Sequence, residues 1–175
     1  MFREDKATQM AARFLSLAGG SMDYVKLLKL MYLADKQMLL ERNRPIVYDA
    51  WVSMRFGPVL SQVYNMIRTP NTGTWSKHIR TAGSCVALTA DPGGDGLSRA
   101  EDDVVDSVFV KHGHKDRWDL ERESHEFNEW DDPGDLEYPI SYENVLAAEG
   151  FPAEIIPKIL EAIAEQDRVE RVLVA

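Results

Sequence analysis

Apolar residues recur along this chain at a small number of spacings, and each spacing predicts an element. Ala7, Met10, Ala11, Phe14 and Ala18 fall three and four apart, as on one face of a helix, and Gly19 with Gly20 then release the backbone into a turn. Residues 22–42 carry the strongest pattern. Tyr24, Leu27, Leu28, Met31, Ala34 and Met38 form one stripe, Leu30, Leu33 and Leu40 fill a second, and only a narrow polar strip through Lys26, Lys29 and Lys36 is left. A helix apolar over so much of its circumference has to be enclosed by neighbours, so it is predicted to be the buried central helix of the core. Asn43 and Pro45 end it.

Residues 46–56, with Val47, Tyr48, Trp51, Val52 and Phe56, read as an extended segment broken by Gly57 and Pro58. Pro58 suits the first turn of a helix, where a missing N–H costs nothing, and Val59, Val63, Met66 and Ile67 follow at helical spacing. A turn is predicted over 69–73, a β-hairpin from 75–80 and 84–89 around Ala82 and Gly83, and a loop over 91–96. Ser98 with Glu101 three residues on is a capping box, opening a helix through Val104, Val105, Val108 and Phe109 to about Lys111. A further helix is expected over 116–127 with Trp118, Leu120 and Phe127, then a loop at Pro133 and Gly134. Ser141 caps a short helix ending at Gly150, and Ile155, Ile156, Ile159, Leu160 and Ile163 form the face of another from about Pro152. Residues 169–174 fit either its continuation or a last strand. The sum is a mainly α fold with one small β-hairpin, a single domain over 1–175 around a buried central helix.

Length and composition agree with that picture. A chain of 175 residues can withdraw roughly 70% of its unfolded surface from water, so a core needs no disulfide or structural metal. Cys85 is the one cysteine and makes no internal bridge, which fits a reducing compartment. No apolar run approaches the ~18 residues of a spanning helix, and the amino terminus has no export pattern, so a cytoplasmic location is expected.

Charge changes the picture more. The chain holds 20 Lys and Arg against 29 Asp and Glu, and they are unevenly placed: residues 1–90 have 12 basic and 6 acidic side chains, residues 91–175 have 8 basic and 23 acidic. A polyanionic half repels phosphates and favours a partner with a basic surface. Asp102, Asp103 and Asp106 on the capped helix are the acidic contacts expected to serve it. DNA binding would require the basic half to form one continuous face.

Catalytic signatures are scarce. The loop 91–96 has glycines but no trailing Lys and Ser or Thr, and its acids would repel a phosphate. His112, His114 and His125, with Cys85 or a carboxylate, carry the alternative of a metal-dependent enzyme. Ligands two apart on a helix point to different sides, however, and paired cysteines are absent, so neither metal nor other cofactor is expected. His125 reads as an ordering hydrogen bond to a helix end before it reads as a general base. Tyr48, Trp51, Phe56, Tyr64 and Trp75 are either core or, where exposed, anchors for a partner.

Over residues 27–67 the string LLKLMYLADKQMLLERNRPIVYDAWVSMRFGPVLSQVYNMI carries a specific order of motifs: Leu28, Lys29, Leu30 and Tyr32, then Ala50 and Trp51, then Gly57, Pro58, Val59, Val63 and Tyr64. Leu120, Ser124, His125 and Trp130 form a second piece. In this order the chain resembles the Panacea domain of SocA-like antitoxins. It departs from the pattern before Gly-Pro-Val, where Arg55 and Phe56 stand in place of a small residue.

The resemblance implies a mainly helical antitoxin that neutralises a toxin encoded by a neighbouring gene through direct binding, and in one branch of the family also delivers it to a protease. It implies no catalytic group. Tyr48, Trp51, Arg55, Phe56 and Tyr64 around the Gly57-Pro58 turn are then the expected recurrent binding surface, Asp102, Asp103 and Asp106 the partner-specific one, and the portion from about 135 the variable one.

Overall fold

The computed structural model describes residues 1–69 and 72–174, with backbone alone at 170, 171, 173 and 174. Helix α1 (Glu4–Leu17) runs into strand β1 (Ser21–Asp23), and helix α2 (Tyr24–Arg42) follows at once. Asp23 starts α2 by accepting from the N–H groups of Val25 and Lys26, and Asn43 ends it in the left-handed conformation at φ 57°. The central helix predicted from the apolar pattern is therefore present, two residues shorter at its start.

Its polar strip is not a solvated face. Lys29 and Lys36 are buried, and all three lysines reach out of the helix to another segment. Lys26 Nζ donates to the Gly113 carbonyl at 2.7 Å, Lys29 Nζ to the Pro58 carbonyl at 3.0 Å, and Lys36 Nζ pairs with Glu129 at 2.9 Å and Glu149 at 2.7 Å. Long apolar stems allow this: the methylenes pack while the ammonium finds a partner.

After α2 the chain is irregular until strand β2 (Trp51–Met54), which turns back into β3 (Gly57–Leu60). Pro58 thus lies in a strand, opposite Ser53, and not in the first turn of a helix. Helix α3 (Ser61–Arg68) begins three residues later. β3 is an edge strand, where a missing N–H is tolerated, and this removes the penalty that the helical placement was meant to avoid. Asp49 supplies the helix start instead, accepting from the N–H groups of Gln62 and Val63.

The first arm of the expected hairpin is also different. Residues 75–80 are not all strand: helix α4 (Thr74–His78) precedes β4 (Ile79–Ala82), and β4 pairs with β5 (Cys85–Leu88) around Gly83. A contact far along the chain decides it, since Glu4 Oε1 accepts the Trp75 N–H at 2.9 Å and holds the first turn of α4 against α1. The expected turn over 69–73 lies partly outside the described residues. β1 pairs with β5, giving one antiparallel sheet in the order β1-β5-β4.

Helix α5 (Arg99–His112) carries the predicted capping box: Ser98 Oγ accepts from Glu101 N–H, and Glu101 accepts from Ser98 N–H. Helix α6 (Arg117–Ser124) has a second one from Asp116 and Asp119, and stops three residues short of the expected end. Strand β6 (Tyr138–Ile140), which had no sequence signal, pairs with β2 and completes a second sheet in the order β3-β2-β6. Helix α7 (Tyr142–Ala148) is capped by Ser141, and helix α8 (Ile156–Val174) continues through the stretch left open between helix and strand. The fold is helical in the main, as expected, but two small three-stranded sheets replace the single hairpin.

One buried cluster joins these elements, from Ala7, Met10 and Phe14 through α2 to Val104, Val108, Val145 and Ile163. No helix among the described residues is long and apolar enough to cross a membrane. Part of the charge asymmetry is offset inside the fold. Lys6 and Arg44 both meet Glu101 at 2.7 Å, Arg13 spans Asp102 and Asp106, and Lys36 joins Glu129 and Glu149, so cations of the basic half are spent on anions of the acidic half.

Candidate functional site

The β2–β3 hairpin projects Arg55 and Phe56 from its tip. Gly57 follows at φ 92°, a left-handed position that closes a tight hairpin and favours glycine. Beyond its conformation, Gly57 leaves no room: a Cβ there would overlap Ser124 Oγ and lie 2.6 Å from Lys29 Nζ. Three long-range supports therefore converge behind the tip. Trp130 Nε1 donates to the Met54 carbonyl at 2.9 Å just before it, Lys29 Nζ holds the Pro58 carbonyl just after it, and Ser124 abuts Gly57 itself. His125 stacks on Trp130 with ring centroids 4.1 Å apart, so the ring steadies the indole that grips Met54.

In front of these supports lies a groove of about 290 Å³ between the start of α2, the hairpin tip, α3 and residues 134–136. Phe56, 55% exposed, and Leu136, 66% exposed, stand on its rim. Tyr64 and Arg68 face them from α3, with Arg68 Nη1 donating to the Tyr64 hydroxyl at 2.6 Å. Arg55 stacks loosely on Phe56 and approaches Asp135 at 3.4 Å, both side chains largely in solvent. On the floor is Lys29, 2% exposed, whose amine burial pushes down to about 7 while neighbouring Glu121 opposes the shift.

Of the residues expected to bind a partner, Arg55, Phe56 and Tyr64 meet at this groove. Trp51 does not. It is 2% exposed, its Nε1 donates to Asp35 Oδ2 at 2.9 Å, and its ring lies edge-on to Tyr32 and Tyr142. It is a core residue with its polar tip satisfied, and it offers a partner no surface. Tyr48, half-buried against the core at φ 54°, also stands outside the groove.

Asp102, Asp103 and Asp106 lie elsewhere, along α5 beside α1. Arg13 donates to both Asp106 oxygens, at 2.7 and 2.6 Å, and reaches Asp102 at 3.4 Å. Two of the three expected acidic contacts, Asp102 and Asp106, are therefore bridged by the chain's own arginine, while Asp103 is exposed.

The histidines do not converge. His112 is buried beside Lys115 and Glu123, burial holding its ring below the ordinary range, while His114 is exposed and His125 is stacked on Trp130. Among the described residues no group of three or more His, Cys, Asp or Glu stands together as a metal would need.

Residues 27–131 match the family described as antitoxin SocA-like, Panacea domain. The chain belongs to that family. Neither the curated proteins nor the solved structures gave a match. Within the Panacea domain both pieces of the motif have a physical role. Lys29, Gly57, Pro58, Ser124, His125 and Trp130, from four separate segments, form the scaffold behind the Arg55-Phe56 tip. Leu28 and Val59 line the groove, and Leu30 and Tyr32 pack into the core. Tyr32 also donates to Glu129 Oε1 at 2.7 Å.

Sequence reading missed Arg68 and Leu136 in this groove. Arg68 follows Tyr64 by four residues on α3, a spacing that puts both on one face and could have found it. Leu136 arrives from a loop with no local signal.

Proposed function

We propose that this protein is an antitoxin that neutralises the product of a neighbouring gene by direct protein–protein binding, with the groove beside the Arg55-Phe56 tip as the contact surface. The observation that carries this reading is the exposed Phe56 and Arg55, held out on a braced hairpin inside the segment that matches an antitoxin-like family. Large residues on a stiff turn suit capture of a partner, because little side-chain and backbone entropy remains to be lost on binding. Aromatic and arginine side chains are also those that dominate measured binding energies.

The expected basic partner surface is not carried into this reading, because Asp102 and Asp106 already face Arg13 and the groove beside the tip is lined by arginines. Cytoplasmic action follows from the proposal, since a toxin made beside its antitoxin is met there.

Co-expression tests it. The chain should relieve growth arrest caused by the adjacent open reading frame and co-purify with its product, and Phe56→Asp should abolish both. Arrest that persists with the wild-type chain, together with no co-purification, would sink the reading. Following toxin levels after translation is stopped separates occlusion from delivery to a protease: a stable toxin means occlusion.

A further inference from the structure

The groove has a charge opposite to that of the protein. The chain carries a formal net charge of −9, yet the groove presents Arg55 and Arg68 on its rim and Lys29 on its floor, with Asp135 as the one carboxylate in its lining and Glu121 near the Lys29 amine. Asp135 does little to cancel them. It is almost fully in solvent and only 3.4 Å from one guanidinium nitrogen of Arg55, a geometry worth little in water. Arg68 Nη1 donates to a neutral hydroxyl, that of Tyr64. Lys29 offers three donors and spends one on the Pro58 carbonyl. By contrast, Lys6, Arg13, Lys36 and Arg44 each meet a carboxylate at 2.6–2.9 Å. In the groove the two rim guanidiniums lie beside apolar surface with no carboxylate closer than 3.4 Å among the ion pairs of the described residues.

Apolar surface lies between those cations. Phe56 and Leu136 expose most of their area beside the rim arginines, and Val59 and Leu28 line the interior. A single apolar side chain suits this space, and a carboxylate one or two residues away suits the guanidiniums on its rim. A basic segment would face the like charge of Arg55 and Arg68.

We propose that the groove takes an acidic, apolar segment of the partner protein, its carboxylate between Arg55 and Arg68 and its apolar side chain against Phe56 and Leu136. The proposal rests on the antitoxin reading for its partner but stands on the groove's own chemistry. It also reverses the partner charge that the composition of the second half suggests.

Two measurements on the full chain test it. In the first, ¹⁵N-labelled protein is titrated with the peptide acetyl-Asp-Leu-Phe-Asp-Leu-amide and with its counterpart carrying Lys at both Asp positions. Shifts at Arg55, Phe56, Tyr64 and Leu136 with the acidic peptide alone are expected. Shifts at the same residues with the lysine peptide, or none with either, would overturn the proposal whatever the toxin does. In the second, binding to the neighbouring-gene product is compared for Arg55→Glu/Arg68→Glu and for Lys77→Glu/Arg80→Glu, which changes net charge equally on exposed residues elsewhere. The groove variant should lose about tenfold or more in affinity, and the control less than about threefold. Equal losses, or tighter binding by the groove variant, would also overturn it. Failure of the wild-type chain to bind that product would count against the antitoxin reading, and the peptide titration would still decide the groove.

Discussion

Lys29 Nζ donates to the carbonyl of Pro58 at 3.0 Å, tying the second turn of the central helix to the strand that leaves the Arg55-Phe56 tip. The bond is buried, so its loss would leave a carbonyl without a donor, and the tip is therefore registered directly to the most enclosed helix of the core.

Gly57→Ala should be among the most damaging single-methyl additions in the protein. It combines a left-handed φ with overlap onto Ser124 Oγ and close approach to Lys29 Nζ, so we expect a loss of about 2–4 kcal/mol. Gly83→Ala is the comparison, at φ 61° with open space around it, and should cost only about 1 kcal/mol. Urea denaturation of both variants measures the difference.

Lys29→Met should remove a pH dependence. The folded amine titrates at about 7 and the unfolded one near 10.5, so between those values the unfolded chain binds more protons and stability rises with pH. From pH 7 to pH 9 the wild type should gain on the order of 2 kcal/mol relative to Lys29→Met, as read from paired denaturation curves. A parallel response of the two proteins would refute the assignment.

Asp35→Ala should cost about 3 kcal/mol or more. One buried carboxylate accepts from Ile46 N–H at 2.6 Å, Val47 N–H at 3.0 Å and Trp51 Nε1 at 2.9 Å, and removing it leaves all three donors unsatisfied. Burial nonetheless raises this carboxyl to about 6, so it is held protonated more tightly in the fold than in the unfolded chain. Its contribution therefore declines as pH rises from about 4 to 6. Tryptophan fluorescence and denaturation midpoints at pH 4, 5 and 7 test both statements.

Phe56→Ala should separate binding from stability. The side chain is 55% exposed, so its removal should change unfolding free energy by less than about 0.5 kcal/mol, while affinity for the partner falls about tenfold or more. Equal effects on both would place Phe56 in the scaffold.

What was legible in the sequence divides along a physical line. Helix α2 could be read because its enclosure is written in its own apolar circumference, and α5 because Ser98 and Glu101 are three residues apart. Pro58 misled because proline suits both a helix start and an edge strand, and only pairing with Ser53 decides between them. Trp75 was misplaced because its helix depends on Glu4, far away in the chain. At the groove, Arg55, Phe56 and Tyr64 were visible as an aromatic and cationic cluster, whereas Trp51 looked the same and proved to be core. Composition cannot distinguish an aromatic residue with a buried acceptor, such as Asp35, from one without. The partners of the lysine strip were not legible either, since charge alone does not reveal that Lys29 and Lys36 are stapled inward.

The extent of the family match has a practical side. It starts within α2 and stops at residue 131, ahead of β6, yet Met10, Phe14, Leu15, Val145 and Leu146, all outside it, have no exposed surface. An expression fragment cut to 27–131 would uncover the greasy flank of α2 and strip one neighbour from each sheet, so it should precipitate, while a fragment over 1–165 should give a dispersed amide spectrum. Evolutionary recurrence and autonomous foldability have different borders in this protein, and engineering should respect the second.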